Sequence, residues 1–179
     1  MSTHVALIRG INVGRAKRVA MADLRAIVEG LGCGDVRTLL NSGNVVFTAP
    51  ASGKKDFAGR IEKAITARLG IAARVTVLTA AELDAVVHQN PLGKVATDPT
   101  RLLVTILIDP DLQKHLLPLR RQDWAPEVLG VGGRAAYLWV PRGMLESRLV
   151  AAVNRALGDG ATTRNWATVT KLHALATGA

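Results

Sequence analysis

The stretch Arg9-Gly10-Ile11-Asn12-Val13-Gly14-Arg15-Ala16-Lys17-Arg18 is the part of this chain best suited to chemistry. Glycines between a strand and a helix let backbone amides come close to an anion, and the basic side chains add charge. The spacing is neither a Walker A loop, since no Gly-Lys-Ser/Thr follows, nor G-x-G-x-x-G. The plainer reading of the same residues is an exposed loop that uses glycine to turn and arginine for solubility. On the ligand reading, Arg9, Gly10, Asn12, Gly14, Arg15, Lys17 and Arg18 are the contact residues.

Two further segments carry polar groups at element ends, where sites tend to lie. Asn41-Ser42-Gly43-Asn44 reads as a hairpin turn, and Ser42 and Asn44 would present polar groups beside the first loop. Ser42 lacks a Gly-x-Ser-x-Gly elbow, so it makes a poor nucleophile. Thr162-Thr163-Arg164-Asn165-Trp166 opens a last helix that also carries Lys171. A basic helix start binds anions through its free amides, which would make Arg164, Asn165 and Lys171 a second wall of the site. Threonine or asparagine acting as a helix cap is the plainer alternative.

Other common chemistries find little support. His4, His88, His115 and His173 form no H-E-x-x-H or Cys/His ligand spacing, so no metal is expected. Cys33, between two glycines, reads as a buried structural thiol. Asp109 and Asp111 flank Pro110, a spacing that suits a turn and cap better than an acid/base pair. No cofactor is expected.

These residues need elements to position them. His4–Arg9 is an apolar run ending at glycine, the pattern of a buried strand. Met21, Leu24, Ile27, Val28 and Leu31 have helical spacing, and Gly32-Cys33-Gly34 stops that helix. Val36–Leu40 and Asn44–Ala49 read as strands paired across the Asn41-Ser42-Gly43 turn. Beyond a linker at Pro50–Gly53, Phe57, Ile61, Ala64, Ile65 and Leu69 mark a second helix, and Arg74–Leu78 a fourth strand. The order β-α-β-β-α-β is that of ferredoxin-like folds: an antiparallel sheet with one face under two helices and the other covered or used. With only Phe47 as an aromatic on the central strands, base stacking by that sheet is poorly supported.

Thr79-Ala80-Ala81-Glu82 forms a capping box for a helix ending at Asn90-Pro91. The polar stretch Gly93–Thr100 divides the chain into a ferredoxin-like α+β subdomain, 1–92, and a second, smaller α+β subdomain, 93–179. The second half reads as a strand at Leu102–Ile108 and a short helical segment at Asp111–Leu119. Strands at Glu127–Val131 and Ala135–Val140 follow, then a helix at Met144–Leu157 with Leu145, Leu149, Val153 and Leu157 on one face. That order partly echoes the first half, without a residue-level repeat.

The formal charge of +9 invites a nucleic-acid backbone as partner through phosphate neutralisation, although the basic residues are dispersed along the chain. A single cysteine excludes an internal disulfide and suits a reducing compartment. With no secretory signal at Met1–His4 and no apolar run of about 20 residues, a cytoplasmic protein without membrane contact is expected.

The residues ALIRGINVG followed by VAMADLRAIVEGLGCGDVRTLLNSGNVVF resemble the opening of the family catalogued as domain of unknown function 1697, DUF1697. The closing TTRNWATVTKLHALA is similar to that family's C-terminal signature. The resemblance implies a bacterial-type protein with two α+β subdomains and no established activity, and it carries over no catalytic residue. After Gly14 the family commonly reads Gly-Lys-Asn, whereas here Arg15-Ala16-Lys17 stands.

The leading functional expectation is binding of an anionic small molecule or a nucleic-acid backbone through the Gly10–Arg18 loop. One alternative is an enzyme acting on a small phosphorylated or carboxylated substrate with Ser42, Asn44 or a histidine. Another is an interaction protein that forms a homodimer through the uncovered sheet face.

Overall fold

The structure, a computed structural model, describes residues 1–50 and 56–179. The expected linker Pro50–Gly53 therefore lies outside the described residues apart from Pro50. Packing divides the chain into two compact units, Met1–Leu83 with Leu172–Ala179, and Asp84–Lys171. The stretch Gly93–Thr100, expected to separate two subdomains, lies within the second unit.

The first unit runs β1 (Ser2–Arg9), α1 (Met21–Gly30), β2 (Gly34–Leu39), β3 (Asn44–Ala49), α2 (Phe57–Leu69) and β4 (Arg74–Thr79). Its antiparallel sheet has the order β2-β3-β1-β4, the ferredoxin-like arrangement expected from the sequence. Ala6 lies opposite Val45 and Val5 opposite Leu78, so β1 is the central spine. Alternation along the strands sends Ala6, Ile8, Val45, Phe47, Ala49 and Val75 to one face. There they meet Leu24, Ile27 and Val28 of α1 and Phe57, Ile61 and Ile65 of α2. Each such large side chain, fully buried, contributes about 1.5–3 kcal/mol.

The opposite face, with Val5, Leu7, Val46 and Leu78, is buried as well. The homodimer reading took that face to be uncovered, and its premise fails: these side chains are already removed from solvent within the single chain. Phe47 is fully buried and shares an aromatic cluster with His4 and Phe57, so it presents no stacking surface.

Helix α3 (Ala80–His88) begins where the capping box places it. Glu82 N–H donates to Thr79 Oγ1 at 3.1 Å, and Thr79 N–H donates to Glu82 Oε2 at 2.8 Å. Both orphan donors at the helix start are thereby satisfied.

The second unit continues with β5 (Leu102–Leu107), a 3-10 segment (Pro110–Leu116) and α4 (Leu117–Arg120). Then follow β6 (Val128–Val131), β7 (Ala135–Trp139), α5 (Arg148–Leu157), β8 (Ala161–Asn165) and α6 (Trp166–Thr177), whose end belongs to the first unit. Its sheet order, β6-β7-β5-β8, reproduces the order of the first sheet. The echo noticed in the sequence is thus a repeat of topology. The missing piece was β8: the Thr162–Asn165 stretch read as the lead-in to a helix is a strand paired with β5, with Thr105 opposite Thr163. Leu103, Leu107, Leu138 and Ala161 form the face that packs with Leu149, Val153 and Leu157 of α5.

The helix expected from Met144 begins later. Gly143, at φ +92, turns the backbone out of helical geometry, and the Ser147 hydroxyl accepts from Val150 N–H at 3.0 Å as the cap. Leu145, expected on the buried face, is 98% exposed. Asp109 caps the 3-10 segment by accepting from Asp111 N–H at 2.9 Å, the role its spacing with Pro110 foretold. Among the described residues no helix is long and apolar enough to cross a membrane.

Candidate functional site

The loop between β1 and α1 is a small hairpin standing on two apolar feet. Ile11 and Val19 are buried and belong to the core of the first unit, while everything from Val13 to Arg18 is exposed. Asn12 N–H donates to the Lys17 carbonyl at 3.0 Å, and Val13 bridges Ala16, so Gly14-Arg15 forms the tip. Positive φ falls on Gly10 (+84), Asn12 (+54), Gly14 (+61) and Lys17 (+51) and not on Arg15, where the family's commoner glycine stands.

Asn12 is the clamp of this hairpin rather than a free contact residue. Its φ of +54 is a conformation asparagine tolerates better than most residues. Its side-chain Oδ1 accepts from Val19 N–H at 2.8 Å, and Nδ2 donates to the Val19 carbonyl at 3.0 Å and the Asn41 carbonyl at 2.8 Å. Those bonds join both ends of the loop to each other and to the turn between β2 and β3.

That turn is equally built. Gly43, at φ +79, lies so close to β1 that an added Cβ would sit 3.0 Å from Ile8 Cβ, the Ile8 carbonyl and Ile11 Cδ1. Ile8 N–H donates to the Gly43 carbonyl at 2.8 Å. Asn44 is fully buried, and its Nδ2 donates to the Leu39 carbonyl at 2.9 Å and to Ser42 Oγ at 2.8 Å. The structure therefore brings Ser42 and Asn44 beside the first loop, with Asn44 serving the turn.

The cations of the loop are differently placed. Arg9 ends β1 opposite Arg74, half-buried. Arg15, Lys17 and Arg18 are exposed, and among the described residues none of the three forms an ion pair. The first acidic residue of the chain is Asp23, beyond the loop in the first turn of α1.

The three remaining site residues belong to the second unit and do not share one wall there. Arg164 and Asn165 are neighbours on β8, and successive strand residues point to opposite faces. Asn165 is a helix cap: its Oδ1 accepts from Thr168 N–H at 2.9 Å. Arg164 lies opposite Val104 and donates to the Thr163 carbonyl at 2.9 Å, and its burial pulls the guanidinium pKa down to about 10. Lys171 is exposed on α6.

The sequence marks Asn41 as a turn residue only; its main-chain carbonyl, not its side chain, receives the Asn12 bond. Sequence reasoning passed over two neighbouring clefts in the second unit. One, of about 250 Å³, is lined by residues that include Trp124, Arg142, Glu146 and Arg148. The other, of about 500 Å³, runs along α5 between Trp124 and Arg155. The available signal is the pair Arg148 and Arg155, seven apart on one helix, with Trp124 upstream in the chain.

Residues 1–137 match the family described as "Protein of unknown function (DUF1697)". Among solved structures, a conserved bacterial protein from Streptococcus pneumoniae superposes with a TM-score of 0.80 at 21% sequence identity, covering 98% of each chain. At that identity the likeness shows the fold alone. No curated protein matches the chain.

Proposed function

The chain belongs to the DUF1697 family of proteins of unknown function, and from that premise we propose that it binds a nucleic-acid backbone through the hairpin between β1 and α1. The observation that carries this reading is a braced, cationic projection. Arg15, Lys17 and Arg18 are exposed and free of ion pairs among the described residues, on a loop that Asn12 ties down from both sides. A braced loop loses little conformational freedom on binding, so more of the electrostatic attraction appears as affinity.

Shape favours an extended anion over a small one. Small-molecule sites are concave, and they bury most of their ligand. The tip of this hairpin, from Val13 to Arg18, is exposed throughout, with Val13 itself 71% exposed. A phosphate chain is contacted well by such a projection, because each cation replaces a condensed counterion independently. Burial of Phe47 removes the stacking platform that base readout would need, so recognition is of phosphate and not of sequence.

The test is fluorescence anisotropy with labelled single- and double-stranded oligonucleotides across a salt series. Three phosphate contacts give a log–log slope of about −2 to −3. Replacing Arg15, Lys17 and Arg18 together with glutamine should abolish most of that slope without altering the thermal melt. Absence of binding at low salt, or a triple variant that binds like the parent, overturns the proposal.

A further inference from the structure

The groove along α5 lies in the second unit and is independent of the hairpin. Helix α5 buries Leu149, Val150, Val153 and Leu157, and turns Arg148, Ala151 and Arg155 outward. Between this outward face and the segment carrying Leu119 and Trp124 runs the groove of about 500 Å³. Its floor is alanine, at positions 151, 152 and 156, and its side wall is Leu119 with the Trp124 ring. The Trp124 indole N–H is committed to the Leu119 carbonyl at 2.8 Å, so the ring offers its apolar surface. Arg148 stands over that ring, 5.9 Å from its centre.

Charge in this groove has one sign. Arg148 and Arg155 are its charged residues, both exposed, and no aspartate or glutamate lines it. Seven residues along a helix is two turns, about 10.5 Å, so the two guanidinium groups flank the alanine floor on one side of the helix. A small-residue floor lets another backbone approach closely, and Leu119 and Trp124 give apolar side chains something to pack on.

We infer that this groove docks an acidic amphipathic helix of a partner protein. Two carboxylates two turns apart would meet Arg148 and Arg155, and the apolar residues between them would cover the alanine floor. The charge complementarity selects an acidic occupant. The apolar floor selects a protein segment over a sugar-phosphate strand, for which the lining side chains offer donors only in Gln122 and the two arginines, the Trp124 N–H being taken by the Leu119 carbonyl. Helix-in-groove recognition of this kind uses anchors at helical spacing in the docked segment.

The experiment uses the full chain and a labelled synthetic helical peptide with glutamates at positions i and i+7 and leucines at i+3 and i+4. The controls are a scrambled peptide of the same composition, a version with lysines replacing the glutamates, and a single-stranded oligonucleotide. The expected result is binding of the glutamate peptide roughly tenfold tighter than the scrambled one, since two exposed charge pairs, each worth about a few-fold, combine to about that factor. Arg148→Glu with Arg155→Glu should remove this preference and create one for the lysine peptide. Arg155→Glu alone keeps the test sound if reversal at Arg148 disturbs the Trp124 contact, and it should weaken binding in the same direction. Equal binding of glutamate and scrambled peptides overturns the inference, as does indifference to the arginine substitutions. An oligonucleotide whose binding is lost on the same substitutions would reassign the groove to nucleic acid and overturn it too. None of these outcomes depends on Arg15, Lys17 or Arg18, so the result is separable from the hairpin proposal.

Discussion

The side-chain amide of Asn12 donates to the main-chain carbonyl of Asn41 at 2.8 Å, across a separation of 29 residues. Through that bond the first loop of the chain is fastened to the turn between the second and third strands. Both segments carry residues singled out for ligand chemistry, and both are first of all parts of one braced corner.

Replacing Asn12 with alanine removes three hydrogen bonds and places a residue less suited to φ +54 at that position. At about 1 kcal/mol per bond, reduced by their partial exposure, the expected destabilisation is about 2–3 kcal/mol. Asn12→Asp keeps the acceptor for Val19 N–H but sets a carboxylate oxygen against the Val19 and Asn41 carbonyls, so it should be no more stable than the alanine variant. Urea denaturation midpoints of the three proteins check the order.

Gly43→Ala tests the other side of the corner. An added Cβ meets the Ile8 backbone as well as two isoleucine side chains at 3.0 Å, in a left-handed conformation. Strain and contact together should cost about 2 kcal/mol or more. A denaturation midpoint within error of the parent would show that Ile8 and Ile11 move aside freely.

The capping box at Thr79 and Glu82 should behave as one unit. Thr79→Ala costs about 1 kcal/mol, the usual value of a lost cap. Because each side chain serves the other residue's amide, the double variant Thr79→Ala with Glu82→Ala should differ from the sum of the single changes. A double-mutant cycle by thermal or chemical denaturation measures that difference directly.

Tyr137 is the chain's only tyrosine, so its titration can be followed alone by near-ultraviolet phenolate absorbance. The side chain is fully buried and donates to the Val86 carbonyl, and burial pushes its pKa up to about 12 from the ordinary 10.0. The unfolded chain then releases this proton before the folded chain does. The stabilisation is complete below about pH 10 and is lost as the pH rises through about 12. Arg164 has the opposite sign: its depressed pKa of about 10 makes the folded state release a proton first, so stability from this group rises above that pH. The two contributions oppose each other over this range, and Tyr137→Phe removes only the falling one, so its denaturation midpoint should climb relative to the parent's between about pH 10 and 12. A phenolate midpoint near 10 in the folded protein would refute the assignment.

Much of the first unit was legible because its signals are local. The β-α-β-β-α-β order follows from the apolar run His4–Arg9, the Asn41-Ser42-Gly43 turn that pairs Val36–Leu40 with Asn44–Ala49, and helical spacing from Met21 and from Phe57. The Thr79–Glu82 box and the Asp109 cap were equally readable, since each is completed within three residues. Arg15, Lys17 and Arg18 could be named as exposed cations from their glycine-rich setting.

Tertiary structure decided what those residues are for, because the deciding contacts lie far apart in the chain. Asn12 became a clamp through a carbonyl 29 residues away. The strand β8 emerged only by pairing with β5, where Thr105 Oγ1 and Thr163 Oγ1 lie 2.8 Å apart at a separation of 58 residues. Strand alternation then sent Arg164 and Asn165 to opposite faces, and the Asn165 side chain closed the start of α6. Local pattern specifies which element a residue joins; burial and main-chain partners, both set by the packed fold, specify whether its polar group is left for a ligand.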